Sequence, residues 1–271
     1  MKIISCPIYK SIASALSKDV TEVKVKIFSS SEIEIDIPQN ANVDGNDVYL
    51  LYSFAESANN QLMEFILAVN ALQKMGARKI CGIIPYMPYS RQDKEKSGIS
   101  HGIEVIASLL TGCGIDGLIT VDIHSKESLK LFGIKVTNID ITPLLKNIEN
   151  KTIIFPDSGS KKRYDLEGIS MVKTRGKNGM EFQLTDDVWG KDCLIVDDII
   201  DSGKTIEFAS QKLIESGAKS VSAYATHGIF SRKNHNYLKN LQKLIVTNSI
   251  ASLSNIKTKT IDISSLIREK L

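Results

Sequence analysis

Residues 193–206 read Cys-Leu-Ile-Val-Asp-Asp-Ile-Ile-Asp-Ser-Gly-Lys-Thr-Ile, and they carry the densest chemistry in the chain. An apolar run ends in two adjacent carboxylates, Asp197 and Asp198. Asp201, Ser202, Gly203, Lys204 and Thr205 then form a short polar turn ahead of a helical pattern. Such a turn delivers backbone N–H groups and the Thr205 hydroxyl to a helix N-terminus, where an anion is stabilised. The carboxylates can accept hydrogen bonds from a polyol. A ligand with hydroxyls at one end and phosphate at the other, such as a ribose 5-phosphate unit, meets both demands. An ordinary capped helix, with Asp201 or Ser202 as the cap, does not require the preceding Asp pair.

Four further segments place reactive side chains next to apolar runs. In residues 84–94, Ile-Pro-Tyr-Met-Pro-Tyr-Ser-Arg-Gln-Asp-Lys, two prolines and two tyrosines stiffen a turn. Arg91 offers a planar donor fork suited to phosphate, and Gln92 can read the polar edge of a base. His124 follows Asp122 at the end of another apolar run. Residues 155–163 open with Phe-Pro-Asp-Ser-Gly, in which Asp157 can form an Asx-type turn or help to hold a cation. Lys173 and Arg175 end a strand pattern at the mouth of the polar stretch Gly-Lys-Asn-Gly, where two cations can close over a polyphosphate.

These segments need elements to hold them. Short β-like runs, at residues 2–5, 23–28, 33–37, 48–52, 79–85 and 118–123 and again at 152–155, 169–173, 193–197, 220–226 and 244–247, alternate with helical patterns. Helical periodicity is clearest over residues 59–74, with Leu62, Phe65, Ile66, Val69 and Leu72 on one face, and helices are also expected at 100–111 and 204–215. The alternation implies an α/β fold: two similar domains, each with a mostly parallel sheet flanked by helices. A faint repeat supports two copies. Residues 70–80 (Asn-Ala-Leu-Gln-Lys-Met-Gly-Ala-Arg-Lys-Ile) read like 211–221 (Gln-Lys-Leu-Ile-Glu-Ser-Gly-Ala-Lys-Ser-Val). Each is a helix end, a glycine at the C′ position and a strand start. The expected domains are residues 1–141 and 142–271, with the last helix able to pack back on the first.

Composition sets the bounds. The 271 residues carry a net charge of +3, too slight to argue for nucleic acid or a membrane surface as partner. No run approaches the roughly 18 apolar residues of a membrane span, and the N-terminal residues do not form a signal peptide. Cys6, Cys81, Cys113 and Cys193 are scattered in or beside apolar segments, which suits buried reduced thiols and a cytoplasmic location.

Residues 193–206 resemble the ribose-phosphate loop of the type I phosphoribosyltransferases. The Arg-Gln-Asp-Lys run at 91–94, the Asp-Ile-His at 122–124, the Pro-Asp-Ser-Gly at 156–159 and the Lys-Thr-Arg at 173–175 resemble, in order, segments of the ribose-phosphate diphosphokinase family. The resemblance implies transfer of the β,γ-diphosphate of MgATP to the anomeric hydroxyl of ribose 5-phosphate, for nucleotide biosynthesis. It implies ATP on Arg91, Gln92, Asp93 and His124, and ribose 5-phosphate on Asp197, Asp198 and residues 201–205. It further implies Mg²⁺ at His124 and Asp157, and catalysis by Lys173 and Arg175. Phe28 and Glu32, in a segment similar to the family's Phe-Ser-Asp-Gly-Glu, would flank the adenine of a neighbouring subunit, so a dimer or a multiple of dimers is expected. Ser30 and Ser31 depart from that pattern, and Lys204 stands where the family usually has glycine. Two other readings stay open at this point: a purine-type phosphoribosyltransferase sharing the loop, and a non-catalytic homologue associated with a synthetase.

Overall fold

The computed structural model describes residues 1–146, 148, 150–176, 179–231, 238–250 and 258–271, without the side chains of 173–182. It divides into two compact units, Met1–Ile139 with Ile263–Leu271, and Asp140–Asp262.

The first unit contains β1 (Lys2–Ser5), α1 (Lys10–Leu16), β2 (Asp19–Glu22), β3 (Lys24–Ile27), β4 (Ile33–Asp36), β5 (Asp47–Leu51), α2 (Ala58–Lys74), β6 (Lys79–Ile84), α3 (Gly102–Gly112), β7 (Gly117–Val121) and β8 (Lys135–Ile139). Its six-stranded sheet has the order β2-β1-β5-β6-β7-β8, with every pairing parallel. Both faces of a parallel sheet are covered, so along its inner strands buried residues follow one another rather than alternating with exposed ones. All four residues of β1 are buried. The antiparallel hairpin β3–β4 stands apart from this sheet.

The second unit contains α4 (Thr142–Lys146), β9 (Thr152–Phe155), α5 (Ser158–Arg163), β10 (Ile169–Gly176), β11 (Gly179–Leu184), β12 (Asp192–Ile200), α6 (Lys204–Glu215), β13 (Ser220–Gly228), β14 (Lys243–Thr247) and β15 (Lys259–Ile261). The sheet order is β11-β10-β9-β12-β13-β14-β15, parallel except for β10 with β11. The last helix, α7 (Ser264–Arg268), belongs to the first unit, where Arg268 donates to the Ala15 carbonyl.

The two sheets share one winding. In each, the first strand is central, the second lies to one side and the later strands follow on the other. The repeated helix ends are also real equivalents. Gly76 and Gly217 both have left-handed backbones, φ +82° and +83°. Ala77 N–H donates to the Leu72 carbonyl at 3.1 Å, and Ala218 N–H donates to the Leu213 carbonyl at 3.0 Å. Both closures are the six-residue wrap of a Schellman turn, which a Cβ at the glycine would oppose. All four cysteines are free thiols; Cys6 and Cys193 are buried and the other two half-buried.

Several strands run further than periodicity implied. β12 continues through Asp197 and Asp198 to Ile200 because β13 stays in register beside it, pairing Ile199 with His227 and Ile200 with Gly228. β10 passes Lys173 and reaches Gly176 because it turns back as β11.

Candidate active site

In a doubly wound parallel sheet, ligands bind beyond the carboxyl ends of the strands, where the order reverses. In the second unit that point lies between β9 and β12. The turn after β9 carries Asp157, and the end of β12 carries Asp197 and Asp198.

α5 links these carboxylates. Asp157 is its N-cap residue, accepting from the Ser160 N–H at 2.8 Å. The Ser160 hydroxyl lies 3.0 Å from Asp197 Oδ1 and 3.2 Å from Asp157 Oδ1. One turn on, Arg163 Nη1 lies 2.5 Å from Asp198 Oδ2, with both side chains nearly buried. Burial pushes the Asp197 carboxyl well above its ordinary value of 3.8, and the charges of Asp198 and Asp157 push it further. Excess negative charge therefore gathers around one half-buried carboxylate.

The turn beyond the acidic pair leads into α6. Its N-cap residue is Gly203, with φ 75° and no side-chain cap hydrogen bond. The N-cap position thus falls on Gly203, not on Asp201 or Ser202, and Thr205 sits half-buried in the first turn. Lys204 is exposed. The turn is braced from β13. Ile229 and Phe230 N–H both donate to the Ile200 carbonyl, and Ser231 N–H donates to the Asp201 carbonyl. Gly228 lies against the Phe230 ring so closely that a Cβ would sit 2.3 Å from Cε2. Thr226-His227 and Thr247-Asn248-Ser249 meet at the adjoining ends of β13 and β14. His227 Nδ1 is 2.8 Å from Ser249 Oγ, and the Thr247 and Ser249 hydroxyls both donate to the Thr226 carbonyl.

In the first unit the equivalent crevice, between β1 and β5, is filled. Tyr9 is wholly buried there; burial pushes its phenol far from ionisation, and its hydrogen bond with Ser53 offsets only part of that shift. Burial pushes the nearby Cys6 thiol up to about 12. Tyr52, Phe54 and Phe65 pack alongside, with Tyr52 and Phe65 edge to face at 5.9 Å. The expected nucleotide residues lie instead on the loops after β6 and β7. Val121 N–H donates to the Pro85 carbonyl at 3.1 Å, so the two loops leave from adjoining strand ends. Asp122 is buried in a left-handed conformation, φ 44°, with its N–H on the Ile139 carbonyl. His124, two residues on, is half-buried. Tyr89, also left-handed at φ 59°, donates to Asn59 on α2. Arg91 and Gln92 are exposed and Asp93 half-buried.

Phe28 and Glu32 sit at the tip of the β3–β4 hairpin. Both line a groove of about 490 Å³ against α2, with Ile33, Ile35, Leu67 and Asn70. The Phe28 ring is 40 % exposed, with Lys26 Nζ 4.5 Å from its centroid. Ser30 donates to Glu32 at 2.7 Å. Lys173 and Arg175 pair in backbone register with Phe182 and Met180 on β11. Their side chains, and residues 177 and 178 of the Gly-Lys-Asn-Gly stretch, lie outside the described residues.

Among the described residues no three His, Cys, Asp or Glu side chains form a metal cage. The donor set around Asp157 fits a cation of another kind. Mg²⁺ keeps several waters and takes one or two carboxylates together with ligand phosphates. Sequence reasoning did not find Arg163, Ser160, Asn59 or Gly102 as members of these sites. The Asp157–Ser160 spacing, an acid three residues ahead of a hydroxyl, was the one signal available for them.

Residues 4–114 match the family described as the N-terminal domain of ribose phosphate pyrophosphokinase, and residues 156–271 match the phosphoribosyl synthetase-associated domain. The ribose-phosphate pyrophosphokinase of Vibrio parahaemolyticus is 32 % identical over 96 % of this chain and 90 % of its own length. The chain belongs to the ribose-phosphate pyrophosphokinase family. The pyrophosphokinase of Mesorhizobium japonicum is 30 % identical over 97 % of this chain and 91 % of its own. The fold is that of the pyrophosphokinases as well: the crystal structure of phosphoribosylpyrophosphate synthetase from Mycobacterium smegmatis superposes with a TM-score of 0.88, at 27 % identity, over 99 % of this chain and 96 % of that one. Both units thus carry the α/β, mostly parallel architecture expected from the alternating pattern. No helix among the described residues is long and apolar enough to cross a membrane.

Proposed function

We propose that this chain is a ribose-phosphate diphosphokinase, forming 5-phosphoribosyl 1-diphosphate and AMP from ribose 5-phosphate and MgATP. The observation that carries the reading is the switch point of the second unit. There the Asp197–Asp198 pair adjoins an α6 N-terminus whose cap is glycine, so hydroxyl acceptors and phosphate donors lie within one turn of chain. A purine-type phosphoribosyltransferase would need the same loop, but the family match extends across the first unit too. A non-catalytic associate has no specific observation in its favour.

In this mechanism the anomeric hydroxyl of ribose 5-phosphate attacks the β-phosphorus of ATP. The new oxygen–phosphorus bond forms as the bond between the β-phosphorus and the α,β-bridging oxygen breaks, and AMP leaves. Asp197 and Asp198 orient the sugar through its hydroxyls, and the α6 N-terminus with Ser202 and Thr205 receives the 5-phosphate. Arg91, Gln92, Asp93 and His124 hold the nucleotide. Lys173 and Arg175 neutralise charge gathering on the transferred diphosphate. We assign Asp157 and His124 as protein contacts of Mg²⁺, which would offset phosphate charge when bound. Positioning and electrostatics supply the catalysis, with no covalent nucleophile invoked. We read Phe28 and Glu32 as contacts to the adenine of a neighbouring copy, which makes the active form at least a dimer. The two units are assigned accordingly, the first to ATP and the second to ribose 5-phosphate.

The decisive experiment incubates the chain with ribose 5-phosphate and MgATP and identifies the products. Stoichiometric AMP and phosphoribosyl diphosphate are expected; ADP in place of AMP, or no turnover without a partner enzyme, would refute the assignment.

A second expectation concerns Gln92. Its carbonyl accepts from the Ile103 N–H at 3.4 Å, and its side chain lies over Gly102, where a Cβ would come 2.5 Å from Oε1. Gly102→Ala should push the Gln92 amide aside and raise the KM for ATP roughly tenfold, with the KM for ribose 5-phosphate unchanged. Steady-state kinetics with each substrate varied in turn checks this.

A further inference from the structure

We propose that Arg163 is a positioning residue for the sugar-binding acids: its guanidinium fixes the orientation of Asp198 so that the carboxylate meets the ribose hydroxyls without rearranging. The inference rests on reading Asp197 and Asp198 as the ribose site.

The geometry behind it is an unequal treatment of two neighbouring acids. α5 is only six residues long, yet it sends a group from each of two successive positions on one face to the acidic pair. Ser160 gives Asp197 a neutral hydroxyl at 3.0 Å. Arg163 gives Asp198 a full positive charge at 2.5 Å, with the two side chains 10 % and 4 % exposed. A buried carboxylate beside a second one is stable as an anion only with a cation against it. A guanidinium is suited to that place because its planar fork constrains the carboxylate plane, whereas an ammonium acts as a point charge. Arg163 lies on the helix that Asp157 caps. Asp157, Ser160 and Arg163 therefore form one device, in which capping α5 sets the aim of Arg163.

The test uses the intact chain with Arg163→Lys and Arg163→Gln. Ribose 5-phosphate binding is measured by calorimetry, the KM for ATP by initial rates, and folding by thermal melting. Arg163→Lys is expected to fold and to bind ribose 5-phosphate about tenfold more weakly, because the charge stays and the fork is lost. Its KM for ATP should stay within about twofold of the natural chain's, a split that general loosening would not produce. Arg163→Gln should weaken ribose 5-phosphate further. Introducing Arg163→Lys into an Asp198→Asn protein should cost no additional affinity, since the lysine has nothing left to misalign. Natural affinity in Arg163→Lys, equal weakening toward both substrates, or failure of both variants to fold would each overturn the positioning role. A natural chain that binds no ribose 5-phosphate would instead overturn the reading of the site on which the role depends.

Discussion

Alanine at Lys173 is expected to lower kcat by roughly a thousandfold while the KM for ATP changes by less than about threefold. In diphosphoryl transfer the attacking and leaving oxygens lie in line, and negative charge spreads over the non-bridging oxygens of the moving group. A lysine that meets this charge only as it builds stabilises the transition state and not the bound nucleotide. The backbone of β10 carries Lys173 in register with Phe182 on β11. β10 pairs with β9 only at Ile169 and Ser170, and from there on its register is with β11. The residue is thus carried on a two-stranded arm whose root lies at the switch-point side of the sheet. Rapid-quench and steady-state measurements on Lys173→Ala, with Lys173→Arg as a control for charge, separate the two kinds of loss. Equal changes in kcat and in ATP affinity would show uniform binding and remove Lys173 from the chemistry.

Asparagine at Asp197 should produce a protein that melts higher than the natural chain at neutral pH yet binds ribose 5-phosphate about a hundredfold more weakly. Asp197 is half-buried beside the buried Asp198 and within the field of Asp157; its loss of solvation and the two neighbouring charges each raise its carboxyl above the ordinary 3.8. Between that value and the raised folded value, the native chain holds a proton that the unfolded chain has released. The unfolded state then binds fewer protons, so stability falls as pH rises through the window. The favourable contribution is complete below the ordinary value and is lost once pH passes the folded one. Asparagine cannot ionise and escapes this loss. Its melting advantage should be absent in acid and widen toward neutrality, by roughly 2–4 °C for each kcal/mol relieved. Calorimetry across pH with a chelator present, so that no divalent cation masks the carboxylates, measures it. Melting curves that stay a constant distance apart across pH would show that Asp197 carries no such cost.

On the proposed reading of the acidic pair as the sugar site, this trade accounts for its placement. A carboxylate left in water would be stable, but it would meet a sugar hydroxyl already hydrated. Burial at the sheet's switch point removes that competition at an expense in stability, which Arg163 offsets for Asp198 and Ser160 for Asp197 only in part.

Local order in the chain was enough to identify the kind of fold and the segments that bear chemistry. Runs such as Leu194–Val196 are apolar at every position because parallel strands are covered on both faces, and a continuous apolar run survives in the sequence as a plain signal. The paired Gly-Ala junctions after α2 and α6 were legible for a similar reason: a left-handed residue closing a helix favours glycine. The short elements α1, β2, α5, β8 and β15 were not legible, since three to seven residues carry too little periodicity and form only against neighbours. Nor could spacing reveal that Arg163 pairs with Asp198, thirty-five residues away in the chain and 2.5 Å away in space. That pairing, the plugging of one crevice by Tyr9 and the opening of the other at Asp197 depend on which strand ends lie side by side. Adjacency of that sort is a property of sheet order, set by the packing of whole elements, and no window along the sequence contains it.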